Sequence, residues 1–221
     1  MKKILAIISF IIFITISINA QLRVGVAGGF NSPKFKAADI DGTFDEQIKG
    51  SFGAVADYNV YENLFLDMKI LYQEIYTGGS PDRSDASYLY KSFFLTIPLS
   101  VKYEFGNEIN PYISAGISFN YNFKTDVELE MSSVKFSGDF SNTMEDISFS
   151  AFFGCGLQFN FSKYAIFAEG NYSYGLTNVL IPGSYELRSG TSSLTLDVDE
   201  GSSVKINVLD FLIGVKIPLT L

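Results

Sequence analysis

Carboxylates are the only side chains abundant enough to do chemistry in this chain: its 221 residues include 24 Asp and Glu, one cysteine, Cys155, and no histidine. Imidazole is the usual base that activates serine or water, so its absence argues against hydrolysis and acyl transfer. One thiol without imidazole also fails to supply the nitrogen and sulfur ligands of a transition-metal site. We therefore expect no enzyme and no cofactor. Two groups of charged residues remain. Asp39, Asp41, Gly42, Asp45 and Glu46 form one acidic stretch, and Asp197, Asp199 and Glu200 another. Their spacing can offer oxygens to calcium, although neither completes an EF-hand loop. The plainer reading is solvated surface acids. The second group, Arg23, Asp57, Asp67, Lys69, Lys102, Glu104, Glu169 and Lys216, has both signs in similar number and falls within or at the ends of strand-like segments.

Those segments recur along the chain as runs rich in Tyr, Phe, Ser, Asn and Gly. They are 22–30, 51–59, 64–76, 89–105, 111–125, 147–161, 164–178 and 204–221. The connections alternate long and short: the long ones cover about 31–50, 77–88, 126–146 and 179–203, and the short ones are VYEN, GNEIN and SK. Short turns on one side and long loops on the other mark a closed up-and-down antiparallel barrel of outer-membrane type, with periplasmic turns and extracellular loops. About eight strands with both termini periplasmic put every long connection outside. The third and fourth long loops carry their own alternation, VELEMSSVKFSG and YELRSGTSSLTLDV, so the flanking strands are expected to continue as raised hairpins.

The opening MKKILAIISFIIFITISINA has two lysines, an apolar run to about Ile16 and a small residue at Ala20, which is the layout of a cleaved signal peptide over residues 1–20. Residues 21–221 then form one domain. No later apolar run reaches the roughly 20 residues of a spanning helix, so whatever spans is β. Without Lys2 and Lys3 the chain has 14 basic residues against 24 acidic ones, a formal charge of −10 that argues against a nucleic-acid partner.

What occupies the less apolar face decides between a membrane and a soluble barrel. Phe93, Leu95, Ile97, Leu99, Val101, Tyr103 and Phe105 share one side of the fourth segment; Ile113, Ala115, Ile117, Phe119, Tyr121 and Phe123 share one side of the fifth. The opposite faces are mainly Ser, Gly, Asn and Thr. A soluble barrel would cover an outer face with Lys and Glu, whereas small uncharged residues suit a crowded lumen. Aromatics at strand ends, such as Tyr103, Phe105, Phe159 and Phe161, fit an interfacial girdle. Charges inside must be paired, so the mixed-sign group is expected to form ion pairs that plug the lumen. Pro98 and Pro218 fall on the inward parity, and a bulge is expected near each.

The segments YKSFFLTIPLSVKYEFG, NPYISAGISFNYNF, AEGNYSYGLTNV and DFLIGVKIPL resemble the PorT-like outer-membrane β-barrel family, widespread in Bacteroidetes. The resemblance rests on an I-P-L-x-x-K-Y core, here Ile97, Pro98, Leu99, Lys102 and Tyr103, and on a Y-x-Y-G-L-T-N stretch, here Tyr172, Tyr174, Gly175, Leu176, Thr177 and Asn178. These are signatures of fold rather than catalysis. The resemblance implies an eight-stranded barrel in the outer membrane, and one branch of the family implies a role in protein secretion. The leading expectation is a monomeric, non-enzymatic barrel in contact with outer-membrane lipid, whose acidic loops meet an envelope or secretion-machine partner. The alternatives are a narrow porin-like channel for ions or small solutes, an accessory barrel of a secretion machine, and a soluble periplasmic lipocalin-like barrel.

Overall fold

The computed structural model describes residues 22–38, 45–79, 86–106, 109–131, 134–189, 192–198 and 202–219. The leader and Gln21 lie outside them, as do Asp39, Asp41, Gly42, Asp199 and Glu200; of Asp45, Glu46 and Asp197 only the backbone is described. Among the described residues twelve strands form one antiparallel sheet: β1 (Leu22–Ala38), β2 (Asp45–Gln47), β3 (Lys49–Tyr61), β4 (Leu64–Gly79), β5 (Ala86–Glu104), β6 (Ile109–Met131), β7 (Val134–Asp139), β8 (Ile147–Asn160), β9 (Ala165–Gly175), β10 (Gly183–Ser189), β11 (Ser192–Val198) and β12 (Ser203–Leu219). Eight of them close a ring in the order β1-β3-β4-β5-β6-β8-β9-β12, sealed by β1 against β12 from Leu22↔Leu219 to Ala38↔Ser203. The eight-stranded closed barrel read from the alternation is the observed fold. Closure leaves no free edge within the wall, which a spanning sheet requires because lipid offers no hydrogen-bond partners.

The period-2 pattern makes the wall two-sided. Outward positions are apolar and open, with Ile213 65%, Val26 60%, Ile117 57% and Phe153 57% exposed. A soluble protein does not leave such a continuous band uncovered, so the lipocalin-like alternative is overturned. Aromatics ring both ends: Phe30 lies 5.3 Å from Phe211 and Phe52 5.1 Å from Tyr72 toward the outer side, and Tyr103 4.9 Å from Phe105 and Phe161 4.8 Å from Tyr164 at the periplasmic turns.

Three details differ from the sequence reading. Neither proline makes a bulge. The β5–β6 ladder runs in register through Pro98↔Ser118, and on the β4 side the pairs step from Met68↔Leu99 to Leu71↔Thr96 without a shift, so the missing N–H is absorbed by a gap. Pro218 pairs Arg23 beyond Lys216↔Ala165, the last pair with β9, where no ladder asks for a donor. The β5–β6 irregularity lies instead at Phe93/Phe94. Second, the wall strand β9 stops at Gly175 rather than Asn178, and the chain turns across the barrel mouth. Third, the two raised hairpins have different origins. β6 continues past the membrane to Met131 and folds back as β7, as expected, whereas β10 and β11 extend neither β9 nor β12. They dock on β7 through Arg188↔Ser137, forming a sheet ordered β5-β6-β7-β10-β11 above the barrel. Its own small core is Val127, Phe140 and Leu187, flanked by Tyr90, Leu129, Phe136 and Tyr185.

Candidate functional site

All eight mixed-sign residues meet in the periplasmic half of the lumen. Asp57 on β3 is fully buried and sits among three cations from three other strands: Arg23 of β1 at 2.9 Å, Lys102 of β5 at 2.5 Å and Lys216 of β12 at 2.9 Å. Arg23 and Lys102 also reach Glu104 Oε1, at 2.5 and 3.0 Å. Lys69 of β4 binds Asp67 at 2.5 Å and crosses the lumen to Glu169 of β9 at 3.0 Å. Asp57 and Asp67 stand directly opposite each other on β3 and β4, a like-charge pair that the sheet alone would disfavour. Cations arriving from β5 and β12 offset it. Four positive and four negative groups thus neutralise one another, as burial of charge demands.

Aromatic rings cushion the cations. The Arg23 guanidinium lies 4.2 Å from the Phe65 centroid, and the Lys216 ammonium 4.3 Å from that of Phe167. Tyr112 donates from its hydroxyl to Glu169 Oε2 at 2.8 Å. Gly156 makes room for that ring, since a Cβ there would lie 2.5 Å from Tyr112 Cζ.

Several participants escaped the sequence reading. Asp210 accepts from Gln73 Nε2 at 2.6 Å, and Asn171 and Asn110 donate to Glu169 and Glu104. Asp210 shares its parity along β12 with Lys216, so the signal was present; Gln73 likewise follows Asp67 and Lys69 along β4. Tyr112 carried none, because tyrosines lie on both faces of the wall.

Above the charges the lumen narrows to water-sized spaces of about 30 and 10 Å³ beside Gln73, Thr96 and Asp210. An apolar stopper follows, made of Phe35, Ile75, Phe94, Val204, Ile206 and Val208 with Val179 driven into it from the crossing strap. Asn178 shapes that strap. Its Oδ1 accepts from Leu180 N (3.2 Å) and Val204 N (2.8 Å), while its Nδ2 donates to Leu180 O (3.2 Å) and Ser202 O (3.4 Å). Thr177 Oγ1 accepts from Phe149 N, and the strap pairs through Met144↔Leu180. Asn178→Ala removes four hydrogen bonds worth about 0.5–1.5 kcal/mol each. We expect amide exchange at Val179 and Ile181 to accelerate by at least tenfold while the barrel stays resistant to detergent; unchanged exchange would mean the strap is held by packing alone.

On the raised sheet, Lys91 pairs with Glu128, and Lys124 with Asp126 at 2.6 Å. Hydrogen bonds from the Ser141 hydroxyl and amide hold the Asp139 carboxyl below the usual range.

The family model of the outer membrane protein beta-barrel domain matches residues 19–180. The chain belongs to that family. This outer-membrane barrel is similar in fold to OprG from Pseudomonas aeruginosa, with 13% identity over 91% of this chain and 97% of that one, at a TM-score of 0.54. It is also similar to a major outer membrane protein from Thermus thermophilus, with 12% identity over 91% of this chain and all of the other, at a TM-score of 0.51. At such identities the likeness concerns the fold alone. No curated protein matches the chain. Membership of that family puts the barrel in the outer membrane, and in such barrels short turns lie in the periplasm and the long connections, here the raised sheet, lie outside.

Proposed function

We propose that this is a non-enzymatic barrel whose membrane part is a filled post and whose extracellular sheet and acidic loop segments are the working surface for an envelope partner or ligand. The mutually neutralised lumen carries this reading. Eight buried charges satisfy one another, Asp210 is held by Gln73, and an apolar stopper closes the outer mouth, so these groups are engaged with the protein instead of lining a continuous wet path. An eight-stranded barrel has an interior that side chains fill. The absence of histidine from the sequence supports the non-enzymatic part.

Planar-bilayer recording on the purified barrel tests the reading. We expect no resolved conductance steps at neutral pH; regular steps would replace it with the narrow-channel alternative. Stoichiometric copurification of one envelope protein would support the accessory role that the PorT-like resemblance suggests. Export by the N-terminal leader predicts a mature chain beginning at Gln21, read by terminal sequencing.

A further inference from the structure

The buried charges of the lumen do not balance. Among the described residues nine acidic or basic side chains are buried: the eight of the network, four of each sign, and Asp210, a fifth acid without a fifth base. Of the 14 basic residues that remain without Lys2 and Lys3, Arg83 alone lies outside the described ones, between β4 and β5, whose flanking ends lie beyond the stopper residues Ile75 and Phe94. Gln73 donates to Asp210 at 2.6 Å, but no described cation makes an ion pair with it. Lys69, which lines a cavity with Asp210, is taken by Asp67 at 2.5 Å and Glu169 at 3.0 Å. An unpaired buried charge is strongly unfavourable, so Asp210 calls for a positive charge from outside the protein.

Its ladder neighbours make the same demand. Asn31 on β1 and Asn171 on β9 stand directly opposite Asp210, and both are buried. Their amides are oriented by donation from Nδ2, to Gly50 O at 3.3 Å and to Glu169 Oε1 at 2.9 Å. Each Oδ1 is left buried without a donor. One level of the lumen thus gathers a carboxylate and two orphan amide oxygens. Asp210, Gln73, Thr96 and Ser173 line both water-sized spaces, and Asn171 lines the smaller. Such a space takes one water or an ion of similar size. The geometry points to a binding site for a small monovalent cation of sodium size, with Asp210 as its charged ligand and Asn171, Thr96 and Ser173 as neutral oxygen ligands. A divalent ion would leave an excess positive charge beside the Lys69 ammonium. A proton would balance the charge but offer one donor to two orphan oxygens, whereas an ion with its water serves both.

Urea unfolding of the barrel refolded into vesicles, in sodium chloride or in choline chloride of equal ionic strength, tests the site. Sodium should stabilise the wild type relative to choline, and above the dissociation constant each tenfold rise in sodium should lower the apparent unfolding constant about tenfold. Asp210→Asn keeps the shape and an acceptor for Gln73 but removes the charge. It should lose the sodium dependence and, in choline chloride, be at least as stable as the wild type. Glu128→Gln removes an acid on the raised sheet and should keep the dependence. Crystals of the wild type grown with thallium(I), a monovalent ion with strong anomalous scattering, should show density beside Asp210, and this readout decides if Asp210→Asn does not fold. Equal unfolding constants in the two salts, an equal sodium dependence in Asp210→Asn, or no thallium density overturns the site. A wild type indifferent to sodium that weakens against Asp210→Asn as the pH rises would put a proton in the place of the ion, which also overturns it.

Discussion

Asp57→Ala is expected to destabilise the barrel by about 3–5 kcal/mol, the cost of removing one member of a buried charge cluster and leaving its partners uncompensated. Arg23, Lys102 and Lys216 all converge on this carboxylate, and none has water to turn to: the two lysines are essentially fully buried and Arg23 is 8% exposed. Asp57→Asn separates charge from shape. It keeps the volume and part of the hydrogen bonding, so a loss close to that of alanine would assign the effect to electrostatics. Urea unfolding of vesicle-embedded protein, followed by the gel shift, measures both. The reference is Lys91→Gln, which breaks an ion pair whose lysine side chain is 25% exposed and should cost no more than about 1 kcal/mol. Equal losses for Asp57→Ala and Lys91→Gln would show that the lumen charges are not what holds the opposite walls together.

Placing an arginine at Phe153 is expected to cost about 2–4 kcal/mol, and one at Leu219 about 0–1 kcal/mol. Both side chains face outward, Phe153 in the middle of β8 and Leu219 at the periplasmic end of β12. The difference arises from depth in the bilayer and not from contacts within the protein. Unfolding in vesicles therefore reads the membrane position of the wall directly. Equal costs at the two sites would mean that this face is not immersed in hydrocarbon.

Side-chain parity explains why so much of the lumen was legible. In a closed barrel every second residue faces inward, so Lys69, Lys102, Glu169 and Lys216 announced themselves by lying among apolar neighbours of opposite orientation. Asp210 obeys the same rule. The partners within the set were not legible, because Lys69 and Glu169 are a hundred residues apart in sequence and meet only where β4 and β9 face each other across the ring. The Y-x-Y-G-L-T-N stretch reads as the end of a strand, yet Gly175 is where the wall strand ends. A Cβ there would lie 2.6 Å from Ile206 O, and Asn178 then turns the chain over the mouth. Local alternation in 183–198 correctly signalled a hairpin. It held no information about which strand that hairpin would join, and the apolar contact of Leu187 with Val127 and Phe140 decided for β7.

The sequence by itself determined the class of the protein. A period-2 pattern with an apolar face free of charge and a polar face of small residues has one stable solution in a bilayer, a closed β-barrel, and the alternation of long and short connections oriented it. The tertiary structure alone decided that the inward charges cancel across the lumen and that the strap drives Val179 into the outer mouth. Those outcomes depend on which strands become neighbours and in what register. Ring closure settles both at once, whereas each strand's own sequence specifies only which of its residues face in and which face out.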